Sequence, residues 1–163
     1  VSGLGATPVG MPVPAIPEAL SKGVIDATVI PWEVTAALKV PELVGNHTEF
    51  GTEALYTTAF VFAMNKQKYE GLSDELKAAL DSQSGADLSA LAGKLMQGAD
   101  AGGREAAAAN GNNIITLTDA QVAEWKDASS GVATSWVEDM NSKGFDGQAL
   151  LDQAKALIKE NGM

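Results

Sequence analysis

Residues 54–64 (ALYTTAFVFAM) restrict the possible folds of this chain more than any other segment. They carry no charge, they are rich in aromatic and β-branched side chains, and both alternating faces are apolar. A strand that is apolar on both faces has to be covered on both sides. The segment therefore predicts the central strand of a sheet that is enclosed by other layers.

A second pattern, over residues 5–33, predicts a strand, a short helix and another strand. Residues 7–10 have the β-branched character of the first strand. The helix begins at residues 14–18, because prolines are tolerated in a first turn whose N–H groups have no partner inside the helix. Gly23 stands where the end of a helix favours a residue with positive φ.

The second strand of this pattern, residues 24–30, is a short apolar run that Pro31 ends. A compact strand–helix–strand unit packs on a parallel sheet, so we expect an α/β fold. Ligands of open α/β sheets bind beyond the carboxyl ends of the strands. Residues 28–33 are therefore where we expect a binding site.

The chain after Ser73 is predicted to be largely helical. Ser73 is a good N-cap, and leucines at near-helical spacing continue to about Asn110. Such a helix would be roughly 50 Å long at about 1.5 Å per residue, so we expect it to bridge two packing units. Three glycines are the positions where it is expected to bend or break: Gly98, Gly102 and Gly103.

Shorter strands and helices are predicted both before and after that helix. Residues 114–117 predict a brief strand, and residues 118–121 form a capping-box pattern that opens the next helix. Asp146 is expected to cap the last helix, which Gly162 ends. The buried stripe of the helix after Thr118 is predicted to contain Val122, Trp125, Val132, Trp136 and Met140. Short helices are also predicted over residues 33–39 and 66–70.

Composition excludes several classes of function. The 163 residues are 45% hydrophobic, enough for an ordinary domain with a core, and the net charge of −10 argues against a nucleic-acid or anionic-membrane partner. The absence of cysteine excludes disulfides and thiolate sites. No apolar run approaches the roughly 20 residues that span a bilayer, so no direct membrane insertion is expected. No signal peptide is visible, and because the sequence opens on Val1 we expect its beginning to lie upstream.

Catalytic chemistry is hard to assemble from these residues. His47 is the one histidine, and no Gly-x-Ser-x-Gly elbow, Gly-x-Gly-x-x-Gly run or phosphate loop occurs. One histidine without cysteine also leaves no metal-ligand spacing. We therefore predict no catalytic residue, no cofactor and no metal site.

Two interpretations stay open for five of the candidate binding residues. Trp32 is either a core plug or a flat pocket wall with one N–H donor, and Glu33 is either solvated or a hydrogen-bond acceptor. His47 is either structural or a hydrogen-bond donor to a ligand. Tyr56 and Thr57 either pack within the sheet or present their hydroxyls at the end of the central strand. The predicted substrate-binding residues are Thr28, Ile30, Pro31, Trp32, Glu33, His47, Tyr56 and Thr57.

Several short runs occur in a fixed order along nearly the whole chain. They are Leu4-Gly5-Ala6-Thr7-Pro8-Val9, Met11-Pro12, Pro17-Glu18-Ala19-Leu20, Gly23-Val24-Ile25-Asp26, His47-Thr48, Met64-Asn65 and residues 72–80 (LSDELKAAL). In this order they closely resemble the signature of the periplasmic solute-binding proteins of TRAP (tripartite ATP-independent) transporters. The ordered combination is far more specific than any single run.

The resemblance implies a two-lobed α/β fold of the periplasmic-binding-protein type (type II-like). Such a protein closes on an organic anion, usually a carboxylate, and delivers it to the membrane subunits of a permease; it is not an enzyme. The implied organisation places residues 1–47 in one lobe and residues 48–72 in a crossover with the central strand of the other. Residues 73–110 would form a lobe-spanning helix, and residues 111–163 a C-terminal strand and helices.

Two departures from the family pattern change what the resemblance implies. Members are about twice this length, so the chain resembles the C-terminal half, and a periplasmic location would need a signal peptide upstream. The family's carboxylate-binding arginine would also lie upstream of Val1, and Arg104 does not match it. These 163 residues alone are therefore expected to bind ligand weakly or not at all.

The second departure concerns the pocket wall. Val29 and Ile30 stand where the family usually carries polar residues, which argues against a metal-bridged ligand. The pocket is then expected to be apolar, walled by Trp32 and suited to an aromatic or branched acid. Two other hypotheses remain: a sensory module of the same fold, and an enzyme with a carboxylate pair.

Overall fold

The computed structural model of the chain describes residues 1–160. These residues form helices and a small two-stranded sheet. The elements in chain order are α1 (Ile16–Ser21), α2 (Trp32–Thr35), β1 (Asn46–Glu49), α3 (Lys66–Glu70), α4 (Asp74–Ser82), α5 (Ala86–Ala109), β2 (Asn113–Thr116), α6 (Asp119–Ser142) and α7 (Gly147–Glu160). Single 3₁₀ turns occur at Ser2–Leu4, Val13–Ala15 and Val40–Glu42.

The predicted helix starts are confirmed by their capping hydrogen bonds. The Ser73 hydroxyl accepts from the Leu76 N–H at 3.4 Å, and the Asp146 carboxylate accepts from the Ala149 N–H at 3.0 Å. Thr118 and Gln121 form the predicted capping box, because each side chain accepts from the other's backbone N–H. These bonds satisfy donors that a first helical turn otherwise leaves unpaired.

Helices α1, α5 and α6 are each followed by a glycine in the left-handed conformation, as the sequence predicted for Gly23. Gly23 follows α1 with φ of 65°, Gly111 follows α5 with φ of 78°, and Gly144 follows α6 with φ of 85°. Only glycine reaches this region without a steric penalty on its Cβ. The predicted end at Gly162 lies outside the described residues.

The single long helix predicted over residues 73–110 was wrong, because the structure divides it into α4 and α5. The break falls at Gly85, whose φ of 82° and ψ of −147° are open essentially to glycine alone. Gly98, Gly102 and Gly103 all lie inside α5. A glycine in a helix interior costs only about 1 kcal/mol, which a helix of this length tolerates.

The three strands predicted in the first 64 residues were wrong. Residues 7–10, 24–30 and 54–64 carry no strand assignment. A strand exists only where a neighbour accepts and donates its backbone hydrogen bonds, and among residues 1–160 only β1 and β2 pair in this way. The segment predicted as a buried central strand is consequently exposed: Phe60 is 70%, Val61 87% and Phe62 100% accessible.

The sheet itself joins β1, which the polar sequence NHTE did not predict, to β2, which was predicted within one residue. The Asn113 N–H donates to the Gly45 carbonyl at 2.9 Å, and the Leu117 N–H donates to the Glu49 carbonyl at 2.9 Å. The partners advance together along both strands, so the pair is parallel. The predicted α/β class is confirmed, although the sheet is small.

The helix predicted over residues 33–39 is the single turn α2. Pro31 precedes it in extended conformation (φ −72°, ψ 160°) as its N-cap. The one turn predicted at residues 66–70 is confirmed as α3.

The described chain separates into two compact units. The first unit contains Val1–Met11, Thr48–Leu55 and the chain from Ile115 onward; the second contains Pro12–His47 and Tyr56–Ile114. In the second unit α2 packs on α5, and the buried residues are Ile16, Ala19, Thr35, Val40, Pro41, Gly103 and Ala107.

In the first unit α6 packs against α7 and the Ser2–Leu4 turn. Val122 of the predicted α6 stripe is buried, and Trp125 and Met140 are half-buried. Val132 and Trp136 were wrongly predicted to be buried, since they are 59% and 40% exposed. Helical spacing identifies one face of a helix, but a neighbouring element has to cover that face before it is buried.

Candidate functional site

The ring pair of Trp32 and His47 is the centre of the predicted site. Trp32 is the first residue of α2, and His47 is the second residue of β1. Their ring centroids lie 4.9 Å apart and their planes are 32° from parallel. Both side chains are half-buried, so the indole is neither a full core plug nor a free surface group.

His47 is held in an environment that favours its neutral form. Burial lowers the pKa of His47 below its ordinary 6.5, and hydrogen bonding with the Asn112 side chain opposes that shift in part. The His47 Nε2 atom is buried and makes no hydrogen bond to any residue in the described chain. An imidazole whose neutral form is favoured by burial, and whose Nε2 atom has no hydrogen-bond partner in the described chain, is therefore packed beside the indole.

Asn112 fixes the loop that leads into β1. Its amide donates to the Val44 carbonyl, and the neighbouring Asn110 amide donates to the Pro41 carbonyl at 2.7 Å. These two asparagines follow α5 in sequence, and so they join the end of α5 to the segment that carries His47. Loop carbonyls that would otherwise lack partners are satisfied by these bonds.

A hydrogen bond to a residue of α5 holds the start of α2. The Glu33 N–H donates to the Asp100 carboxylate at 3.0 Å, and no side chain at Pro31 caps the helix. Burial raises the pKa of the Glu33 carboxyl above its ordinary 4.5; a hydrogen bond from its own backbone opposes this, and the nearby Asp100 carboxylate raises it further.

Gly103 lets α5 approach the backbone of α2. A Cβ at Gly103 would lie 2.0 Å from the Trp32 carbonyl oxygen and 2.6 Å from the Thr35 hydroxyl. That hydroxyl donates to the same Trp32 carbonyl at 2.8 Å. The space that any other side chain would fill is thus occupied by the backbone of Trp32.

The remaining predicted site residues belong to the same unit. The Tyr56 hydroxyl donates to the Val29 carbonyl at 3.2 Å, which joins the segment of residues 28–30 to the segment that begins at Tyr56. Thr28 and Ile30 are half-buried, whereas Pro31 and Thr57 are exposed. A cavity of about 300 Å³ lies beside α2, but Ala36, Pro41, Ala106, Asn110 and their neighbours line it, and none of the predicted residues does.

The arrangement suits binding through shape and apolar contact. It presents a flat indole beside an imidazole, with apolar Ile30 preceding them in the chain. Within residues 1–160 no group of three or more histidine, aspartate or glutamate side chains could hold a metal ion. No helix in the described part of the chain has the length and apolar character to cross a membrane.

Sequence reasoning missed Asp100, Gly103 and Asn112. Asp100 and Gly103 were read only as parts of a helix, because their partners in α2 are 67 or more residues earlier in the chain. A buried glycine inside a helix is the one signal that could have pointed to a close backbone approach.

Residues 1–139 match the family model of the bacterial extracellular solute-binding proteins, family 7 (DctP). That match covers most of the chain, and the chain therefore belongs to this family. The family assignment made from the ordered sequence runs is confirmed.

Solved structures of TRAP solute-binding proteins are similar in both fold and sequence. A protein from Rhodoferax ferrireducens, in complex with copurified benzoate, is 48% identical over 98% of this chain with a TM-score of 0.93. A marine metagenome protein described as specific for aromatic acid ligands, in complex with metahydroxyphenylacetate, is 47% identical over 99% of this chain, also with a TM-score of 0.93.

This chain is shorter than the proteins it resembles. It spans 50% of the Rhodoferax protein and 51% of the metagenome protein, so it corresponds to about half of each. An outer membrane transporter protein, TsaT, from Comamonas testosteroni is 30% identical over 107 residues, which are 66% of this chain and 31% of that protein.

Proposed function

We propose that this chain supplies one wall of the ligand site of a TRAP solute-binding protein that captures an aromatic carboxylate. The observation that carries the proposal is the copurified benzoate in the Rhodoferax protein, which is 48% identical over 98% of this chain. The metagenome relative was also crystallised with 3-hydroxybenzoate, another aromatic acid.

The Trp32–His47 pair supports an aromatic ligand. A benzoate ring stacked on a half-buried indole gains about 0.5–1.5 kcal/mol beyond the area that it buries. Ile30 and the neighbouring Val29 add apolar surface where a metal-bridged site would need oxygen ligands. These features favour a flat apolar acid over a small polar one.

The carboxylate of the ligand needs a cationic partner. The resemblance implies an arginine that lies upstream of Val1, and we propose that it pairs with the carboxylate opposite the Trp32 wall. Bidentate arginine–carboxylate pairs give both affinity and orientation. The protein would act in the periplasm and deliver its ligand to the two membrane subunits of a TRAP permease, without any chemical step.

A chimera tests this proposal directly. These 163 residues would replace the corresponding half of the Rhodoferax protein, and benzoate binding would be measured by calorimetry. We expect the chimera to bind benzoate, and Trp32→Ala to weaken its affinity about tenfold or more. Trp136→Ala, which removes an indole that is 40% exposed on α6, is the matched control and should leave the affinity unchanged.

A folded chimera that binds neither benzoate nor 3-hydroxybenzoate would refute the aromatic-acid proposal. Equal losses from Trp32→Ala and Trp136→Ala would show that Trp32 is not a wall of the site. Micromolar binding by the 163 residues alone would show that an upstream arginine is not needed.

A further inference from the structure

We propose that Asp100 and Gly103 of α5 are positioning residues that fix the orientation of the Trp32 wall. Their role in ligand affinity rests on the proposed function, whereas the contacts themselves do not. Neither residue has to touch a ligand. Both act on the peptide group that joins Trp32 to Glu33.

Asp100 holds the residue after Trp32. α2 is a single turn of four residues, and the N-cap Pro31 offers no side-chain hydrogen bond to its first N–H groups. The Asp100 carboxylate accepts from the Glu33 N–H at 3.0 Å. A charged acceptor gives such a bond more strength than a neutral one.

Gly103 leaves free the space that the Trp32 carbonyl occupies. Any Cβ at this position would meet the Trp32 carbonyl oxygen at 2.0 Å and its carbonyl carbon at 2.9 Å. Both atoms are backbone, so the contact cannot be relieved by rotating a side chain. The Thr35 hydroxyl, which holds the same carbonyl from within α2, would also be displaced because it lies 2.6 Å from the added Cβ.

The two positions lie on one face of α5. Residues three or four apart along a helix project to the same side, and Asp100, Gly103 and the fully buried Ala107 follow that spacing. α5 therefore presents a hydrogen-bond acceptor, at Asp100, and a position without a side chain, at Gly103, to α2. With the peptide group between Trp32 and Glu33 held at both its N–H and its carbonyl, the indole keeps its 4.9 Å contact with His47.

The single histidine reports on this geometry. His47 is the one histidine of the chain, so its Cε1–H proton gives one resolvable NMR signal. The indole ring current and the lowered pKa of His47 both depend on where Trp32 sits. We expect Gly103→Ala to move this signal and to shift the His47 titration midpoint toward its ordinary value.

Gly102→Ala is the matched control, because a Cβ there meets nothing within 4 Å. It should leave the His47 signal, its titration and the benzoate affinity of the chimera unchanged, while Gly103→Ala weakens that affinity about tenfold. Indistinguishable His47 signals in Gly103→Ala and Gly102→Ala would overturn the role of Gly103.

Asp100 provides a second test in case Gly103→Ala does not fold. Asp100→Ala should shift the His47 signal and weaken benzoate binding, and Asp100→Asn, which keeps an acceptor oxygen, should restore most of both. Glu105→Ala removes an exposed carboxylate from the same helix and controls for net charge. An Asp100→Ala protein that matches the wild type, or an Asn variant no better than Ala, would contradict the role of Asp100.

Failure of this proposal is separable from failure of the proposed function. If the wild-type chimera binds no aromatic acid, the proposed function is wrong, but the His47 signal still decides whether Asp100 and Gly103 position Trp32. If benzoate binds and the positioning variants leave both the signal and the affinity unchanged, only the positioning role is wrong.

Discussion

The imidazole of His47 lies 4.9 Å from the indole of Trp32, centroid to centroid, and its Nε2 atom is buried without a hydrogen-bond partner in residues 1–160. Burying a polar nitrogen without a hydrogen bond costs free energy, and protonating that nitrogen while it is buried costs more. The pair therefore couples the candidate site to pH through one titratable group.

Acidification should destabilise the folded chain through His47. Burial lowers the pKa of His47 below 6.5, so the unfolded chain binds more protons than the folded chain between 6.5 and that lower value. The contribution of His47 to the free energy of unfolding is fully present above pH 6.5. It is lost as the pH falls through the pKa of His47 in the folded chain. Urea denaturation should show that the free energy of unfolding falls less between pH 7.5 and pH 5.0 for His47→Gln than for the wild type. A His47 NMR midpoint at or above 6.5 would contradict this prediction.

Glu33→Gln should stabilise the chain at neutral pH. Burial raises the pKa of the Glu33 carboxyl, so its contribution is present below about pH 4.5 and is lost as the pH rises through the folded pKa. The variant should therefore be more stable than the wild type at pH 7, by less than about 1 kcal/mol because the side chain is only half-buried. The difference should disappear near pH 4. Glu105→Gln, at an exposed position of α5, should show no such pH-dependent difference.

Gly147→Ala should weaken the packing of α7 on α6. An added Cβ would lie 2.5 Å from the Val137 carbonyl oxygen and 3.0 Å from the Met140 Cβ. Overpacking of this kind costs about 1–3 kcal/mol, which thermal denaturation would detect. Gly131→Ala, where the Cβ meets nothing within 4 Å inside α6, should instead stabilise by up to about 1 kcal/mol. Equal melting temperatures for the two variants would show that the close approach at Gly147 is absent.

Thr118→Ala should destabilise the start of α6. The variant loses the Thr118 side of a reciprocal cap in which the Gln121 N–H donates to the Thr118 hydroxyl at 3.3 Å. Loss of an N-cap costs about 1 kcal/mol, measurable by urea denaturation. Thr118→Ser keeps the hydroxyl and should recover most of the stability. A serine variant as unstable as the alanine variant would assign the effect to the lost methyl group.

Local features of the fold were predictable because their causes lie within a few residues. The Thr118 box, the Ser73 cap and the positive φ of Gly23 each depend on neighbours one turn away at most. The candidate wall at Trp32 was also found from sequence, since an indole after a proline is conspicuous. Its ligand-binding role stays a prediction.

The supports of that wall could not be predicted in the same way. Asp100 and Gly103 meet α2 only because the chain returns after 67 or more residues, and periodicity contains no information about that return. The same reason explains the error at residues 54–64. Their apolar pattern predicted a buried strand, but a strand forms only beside another strand, and these residues are exposed.

By itself, the sequence determined the family, the α/β class and the helix caps, and it singled out Trp32 as the candidate wall of a ligand site. Tertiary structure alone decided that Gly85 breaks the long helix, that β1 pairs with β2, and that Asp100 and Gly103 hold Trp32 beside His47. The physical reason is the distance along the chain between the residues that interact. Caps and left-handed glycines are set by local hydrogen bonds and sterics, whereas strand pairing, burial and close backbone contact depend on which distant segments meet.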